Sequence, residues 1–142
     1  MANYECATRT NYFHVKDAER FKAFMQNVCG SEDEVDLWER QDAGGNTVFG
    51  FGCYGGIAGL KNSDGEIDDD SFDNFIAELQ KHIADDDAVI LLEAGNERLR
   101  YVTGGATVIT GKECLYLDAE SLAVQKAREQ LENPDWATQC VY

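Results

Sequence analysis

The chain has 142 residues, of which 27 are acidic and 12 are basic, so its net charge is −15. This length suits one domain over residues 1–142, and a hydrophobic content of 44% supplies a core and excludes global disorder. Because phosphate backbones and anionic lipids repel so acidic a surface, we expect no direct binding to nucleic acid or membranes.

The N-terminal residues and the cysteines indicate a soluble cytoplasmic protein. Residues 1–6 lack the basic start and apolar segment of a secretory signal, and the longest strongly apolar run, Ala88–Leu92, is far shorter than the roughly 20 residues that cross a bilayer. The cysteines are odd in number, scattered and never spaced as Cys-x-x-Cys, which favours reduced, mostly buried thiols. They are Cys6, Cys29, Cys53, Cys114 and Cys140.

The first elements in chain order are a strand and a helix. Thr10–Val15 is rich in β-favouring residues and predicts a strand. Asp17 is typical of a helix N-cap, and Gly30 is typical of the glycine that ends a helix. The apolar residues between them have the i, i+3, i+4, i+7 spacing of one buried helix face: Phe21, Phe24, Met25 and Val28.

A predicted hairpin follows. Val35–Arg40 and Asn46–Tyr54 predict two strands joined by a polar turn at residues 42–45. Residues 50–55 match the pattern G-x-G-x-x-G, but a dinucleotide site needs a helix after the third glycine, and a glycine-rich, then acidic, stretch stands there instead. We interpret Gly50 and Gly52 as positions where a helix or an aromatic ring lies flat on the sheet.

Residues 55–70 have the composition of a loop. Within it, residues 62–68 resemble the middle of an EF-hand calcium loop, but Leu60 and Ser71 stand where the two terminal carboxylate ligands belong. We therefore expect an acidic Asp-Gly turn and no bound metal.

The second half of the chain predicts two more helices and three strands. A helix begins at Ser71, and Ala88–Glu93 predicts a buried strand. The glycines at 95 and at 104–105 indicate turns that bound two further strands, at residues 98–103 and 106–110. Asp118 is an N-cap candidate for a last helix, which Asn133-Pro134 would end, and the apolar tail at residues 136–142 is expected to pack on the domain.

The predicted order is therefore β-α-β-β-α-β-β-β-α. Because the strands arrive mostly as hairpins, we expect an α+β fold with a mainly antiparallel sheet covered by helices. A doubly wound parallel sheet would need strands and helices to alternate throughout.

No catalytic signature is present, and we expect no catalytic residues and no cofactor. His14 and His82 are the only histidines, and neither has the spacing of a zinc enzyme. His14 lies in a predicted strand and His82 on the polar side of a predicted helix, so both favour structural or surface roles. A cysteine–histidine pair formed across the fold remains an open alternative.

The distribution of the carboxylates is the most informative feature. Between residues 64 and 87 there are ten carboxylates and one base, Lys81, and two runs of three aspartates flank the second helix. Three aspartates after a helix C-terminus oppose the helix dipole, which favours selection for a negative surface. The predicted partner-binding residues are Asp64, Glu66, Asp68, Asp69, Asp70, Asp73, Glu78, Asp85, Asp86 and Asp87.

Two segments carry a resemblance to a known group. Residues 3–13 (NYECATRTNYF) and 48–55 (VFGFGCYG) resemble small acidic proteins of bacterial plasmids and conjugative elements, of the antirestriction and anti-CRISPR type. Several proteins of that type are acidic DNA mimics, so the resemblance implies such a role. It supplies no functional residues to transfer.

These observations lead to one functional hypothesis and its alternatives. Because B-DNA carries about one negative charge per 1.7 Å of axis, an array of carboxylates can occupy the basic groove of a nuclease or CRISPR effector. The first alternative is an immunity-type or other interaction protein that neutralises a basic partner. The acidic residues can also serve only as a solvated surface, and an enzyme is the remaining alternative.

Overall fold

The computed structural model describes residues 4–68 and 70–140 and has an α+β architecture. The described strands are β1 (Glu5–Thr10), β2 (Val28–Gly30), β3 (Asp36–Gln41), β4 (Thr47–Tyr54), β5 (Ile57–Leu60), β6 (Val89–Glu97), β7 (Tyr101–Ile109) and β8 (Cys114–Asp118). The described helices are α1 (Ala18–Met25), α2 (Ser71–His82) and α3 (Ala119–Leu131). None of these helices is long and apolar enough to cross a membrane.

Six strands form one antiparallel sheet in the order β3-β4-β1-β6-β7-β8, and β2 and β5 form a separate antiparallel pair. Both α1 and α2 pack on one face of the large sheet, which we name the inner face; the opposite face is the outer face. The expected fold class is confirmed, and the predicted element order is that of the six-stranded sheet and the helices. The pair β2–β5 is additional.

The core lies between the inner face and the two helices, and phenyl rings dominate it. Phe21 of α1 packs on Phe49, with ring centroids 5.1 Å apart, and Phe75 of α2 meets Phe51 edge to face at 6.1 Å. Phe13 completes the cluster from the segment after β1, and all five rings are fully buried. The burial of each ring contributes about 1.5–3 kcal/mol to the free energy of folding. These contacts therefore hold the inner face of the sheet against the two helices.

The predicted boundaries in the first half are correct at some positions and wrong at others. The Asp17 carboxylate accepts a hydrogen bond from the Arg20 amide, so the N-cap is confirmed. The first strand is β1, whereas Thr10–Val15 was expected: that segment forms only isolated bridges, from Phe13 to Phe49 and from Val15 to Ile83. Gly30 lies in β2 instead of ending α1.

The second half differs in how its strands are divided. The residues 104–105, expected in a turn, lie within β7, so the two strands predicted at 98–103 and 106–110 are one strand. The third strand of this group is β8, which was not predicted, and the loop expected at 55–70 contains β5. The Asp118 cap is confirmed, since its carboxylate accepts from the Ser121 amide.

The glycines of β4 have the expected role of admitting a ring. Trp38 on β3 lies opposite Gly50, and a Cβ at Gly52 would be 3.0 Å from the Trp38 ring and 2.6 Å from the Thr8 carbonyl oxygen. The indole therefore lies against the glycine strip on the outer face, and Arg9 stacks on it at 4.9 Å.

We expect Gly52→Ala to lower the free energy of unfolding by about 1–3 kcal/mol, because the added methyl group overlaps backbone and indole atoms. Urea denaturation measures the change. Gly44→Ala is the matched control, since its Cβ would approach other atoms only to 3.5 Å. Equal stability of the two variants would contradict the close packing of Trp38 on β4.

Candidate functional site

The predicted carboxylates lie around the two ends of α2. Asp64, Glu66 and Asp68 are in the β5–α2 connection, and others follow at the beginning of α2 and after its end. We define the acidic surface by the exposed, described members of the predicted set: Asp64, Glu66, Asp68, Asp70, Asp73, Asp85 and Asp86. Asp69 lies outside the described residues.

Within the described part of the chain, ion pairs leave most of this surface uncompensated. Asp85 lies 3.5 Å from the Lys16 ammonium, but the aspartate is 96% exposed, so the pair is worth little. None of the other six has an ion pair among the described residues. Their charge is therefore available to a partner.

A tight turn holds the first part of the acidic surface. The Asn62 side-chain oxygen accepts hydrogen bonds from the Asp64 and Glu66 amides, at 2.9 and 3.0 Å, and its amide group donates to Asp68 at 3.1 Å. Gly65 has φ +80°, which favours glycine. Because the Asn62 oxygen accepts hydrogen bonds from the backbone, the segment forms the expected Asp-Gly turn. In residues 4–68 and 70–140, no group of three or more histidine, cysteine, aspartate or glutamate side chains is placed to hold a metal ion.

Two of the predicted partner-binding residues are engaged within the protein. The Glu78 carboxylate accepts a hydrogen bond from the Lys81 ammonium, at an oxygen–nitrogen distance of 2.7 Å. About four tenths of the Glu78 side chain is exposed. Asp87 contacts His14 at 2.8 Å and is partly buried, unlike the exposed aspartates that precede it. Both remain near the acidic surface, but internal cations already offset their charges.

His14 connects two carboxylates from distant parts of the sequence. Its Nε2 lies 2.7 Å from an Asp42 oxygen, and its Nδ1 lies 2.8 Å from an Asp87 oxygen, which also accepts from the His14 amide at 2.8 Å. The Asp42 carboxylate is itself oriented by the Gly44 and Asn46 amides in the β3–β4 turn. We name Asp42, His14 and Asp87 the histidine clamp, because it joins the β1–α1, β3–β4 and α2–β6 connections.

The clamp shifts the pKa of each member in the direction that favours ionisation. Hydrogen bonds to Asp42 and then to Asp87 raise the His14 pKa, and the bond from His14 lowers the Asp42 pKa. For Asp87, partial burial acts in the opposite direction, but bonds from His14 and Ala88 lower its pKa overall. Both imidazole nitrogens face carboxylates, so neither is open to accept a substrate proton. The arrangement is that of a structural clamp.

The second histidine and the cysteines also differ from a catalytic arrangement. His82 stacks on Phe24 at 4.8 Å, and burial lowers its pKa, so it packs on the core, which is the structural one of the two roles expected for it. Burial raises the pKa of the Cys6, Cys53 and Cys114 thiols, and nearby carboxylates raise it further. A reactive cysteine needs the opposite shift.

No family model, no curated protein and no solved structure matches the sequence or the fold.

The clamp predicts a stability maximum in mildly acidic solution. The raised His14 pKa gives a stabilisation that is complete below pH 6.5 and is lost as the pH rises through the higher folded-state value. The lowered Asp42 and Asp87 pKa values give a stabilisation that is complete above pH 3.8 and is lost as the pH falls through their folded-state values. We therefore expect the highest unfolding free energy between roughly pH 4 and 6.5.

Urea denaturation of His14→Gln checks the basic side of this maximum. The variant should lose the fall in stability above pH 6.5 that the natural chain shows. His82→Gln is the control: its lowered pKa contributes a pH dependence of opposite sign, so the fall above pH 6.5 should persist. If the stability of His14→Gln still falls above pH 6.5 as it does in the natural chain, the clamp is not the cause of that fall.

Proposed function

We propose that this protein is a non-catalytic inhibitor whose acidic surface binds the nucleic-acid groove of a basic nucleic-acid-handling protein, such as a nuclease or a CRISPR effector. The observation that carries the proposal is the set of exposed carboxylates at both ends of α2, which the described cations leave largely uncompensated. Sequence resemblance to acidic antirestriction and anti-CRISPR proteins of mobile elements supports the same class.

The number of carboxylates around α2 is comparable with the number of phosphate charges on a short stretch of duplex DNA. The 12 residues of α2 span about 18 Å, a length over which B-DNA carries about 11 phosphate charges. Asp73 and Glu78 lie within α2, and the other carboxylates extend beyond the helix into the connections at its two ends. The chain has ten carboxylates between residues 64 and 87, and removing Glu78 and Asp87, which have internal partners, leaves 10 − 2 = 8. A groove that binds phosphates would therefore meet a similar number of negative charges.

The exposure of the carboxylates favours binding that depends on salt. Exposed carboxylates and groove cations both hold counterions, and contact between the two surfaces releases these ions. Such contacts are individually weak and collectively strong, and they accelerate encounter with a basic partner. The proposal thus predicts a distributed interface without a single dominant residue.

The acidic surface should control partner affinity collectively. A single change such as Asp73→Asn should weaken binding by about 1 kcal/mol or less, as for other exposed ion pairs. Combined neutralisation of Asp64, Asp68, Asp70 and Asp73 to Asn should weaken binding more than tenfold and flatten its dependence on salt. The partner is first captured from a bacterial lysate at low and high salt, and the affinity is then measured by calorimetry with the purified partner.

The matched control neutralises four exposed carboxylates outside the acidic surface, one in the β2–β3 connection and three in or beyond α3, so that the net charge changes equally. This control carries Glu34→Gln, Glu129→Gln, Glu132→Gln and Asp135→Asn. Equal loss in both variants would indicate a general charge effect and return residues 64–73 to the role of a solvated surface.

Competition with nucleic acid separates the two binding hypotheses. Duplex DNA or guide RNA should displace the protein from its partner, because both occupy the same groove. A salt-labile partner that binds no nucleic acid would favour the immunity-type alternative. A direct shift of labelled duplex by the protein alone would contradict the proposed electrostatics.

A further inference from the structure

The outer face differs in composition from the rest of this acidic chain. Alternation along the strands and the pairing register place ten residues of β6, β7 and β8 on that face, and none of them is charged. They are Ile90, Leu92, Ala94, Asn96, Val102, Gly104, Ala106, Val108, Leu115 and Leu117. The solvent side of an antiparallel sheet is normally polar, so this half of the face requires a cover.

The protein's own helices leave much of this face open. A Cβ at Gly104 would lie 3.8 Å from that of Ala119, so α3 begins beside the outer face, yet none of its residues is buried. Leu92 remains 50% exposed, Leu115 58% and Val102 63%. A groove of about 480 Å³ lies beside Leu92, with Trp38 and Ala94 among its lining residues.

The open part of the face has the composition that a homodimer interface requires. Ile90, Ala7 and Ala94 are exposed as well, so six exposed apolar residues form this patch. Homodimer interfaces are about 65% apolar and are more hydrophobic than other protein surfaces.

The charges of the outer face favour a second copy over a basic partner. The other strands add only four charged side chains to this face, two of each sign, so its net charge is zero: Glu5, Arg9, Asp36 and Arg40. Arg9 and Arg40 stack on Trp38 and Tyr12. A two-fold contact needs a self-complementary surface, which a neutral face with both signs provides. The acidic surface lies at the ends of α2, on the opposite side of the sheet.

We propose that two copies of this chain associate through their outer faces, with the β6–β7–β8 surface of each covering that of the other. The acidic surfaces then point away from each other, which keeps the repulsion between two chains of charge −15 small. This association is independent of whether the acidic surface binds a partner.

Sedimentation equilibrium of the full chain tests the proposal. We expect a dimer at micromolar concentration that persists in molar NaCl, because its contacts are apolar. Leu92→Arg should shift the dissociation constant at least a hundredfold toward monomer, since the arginine would be buried in the interface. Ile67→Arg is the matched control, because Ile67 is a similarly exposed aliphatic residue on the acidic side, and this variant should remain dimeric.

Circular dichroism and thermal unfolding establish that each variant is folded. If Leu92→Arg does not fold, Val102→Lys near the end of β7 replaces it. A natural chain that remains monomeric at high micromolar concentration would overturn the proposal. A dimer that survives both substitutions would also overturn it and indicate pairing at the β8 edge, two strands away from Leu92. The variant with four neutralised aspartates should remain dimeric, so failure of this inference is distinct from failure of the proposed function.

Discussion

The packing of phenyl rings between the inner face and the helices is the interaction on which the other features depend. Side chains on a strand alternate between faces, so burying Phe49 and Phe51 under α1 and α2 places Gly50 and Gly52 on the outer face. The pairing register extends this choice across the sheet and turns Trp38 and Leu92 outward. A slip of one residue would expose the rings, so the composition of both faces follows from the core.

Repulsion between carboxylates in the connections at the ends of the sheet is a second constraint on the structure. Carboxylates in neighbouring connections repel one another, and the histidine clamp reverses this effect for Asp42 and Asp87 by placing between them the His14 imidazole, which is a cation when protonated. The clamp also fixes the connection after α2, where Asp85 and Asp86 oppose the helix dipole. The protein thus has exposed carboxylates beside an ordered, internally compensated pair, and only the exposed group is available to a partner.

Local signals in the sequence predict the fold class, the caps at Asp17 and Asp118 and the start of α2 at Ser71, because each depends on neighbouring residues. The strand β1 was misplaced because its inward residues, Cys6, Thr8 and Thr10, are small and give little hydrophobic contrast.

The glycines at 104–105 indicated a turn, but both lie within β7. At Gly105 a glycine is needed for packing and not for a turn, because the Tyr116 side chain occupies the space that a Cβ would fill.

The candidate site was predicted in part for a related reason. Charge runs identify the acidic surface, since exposure of consecutive aspartates follows from their solvation. The clamp was missed because its partners lie 28 and 73 residues from His14, and no local pattern connects them. The apolar outer face was missed because the residues that compose it alternate with inward residues and become one surface only when the register is known.

The two surfaces constrain each other through geometry and salt. The outer face is neutral and largely apolar, so its contacts weaken little in salt, whereas the binding proposed for the acidic surface depends on screened charges. The proposed two-fold axis through the outer faces would direct the acidic surfaces to opposite sides, where one partner molecule could not bridge both within a single groove. Each chain would then bind its own partner molecule, at a stoichiometry of one to one, and salt would release the partners while the two chains stay together.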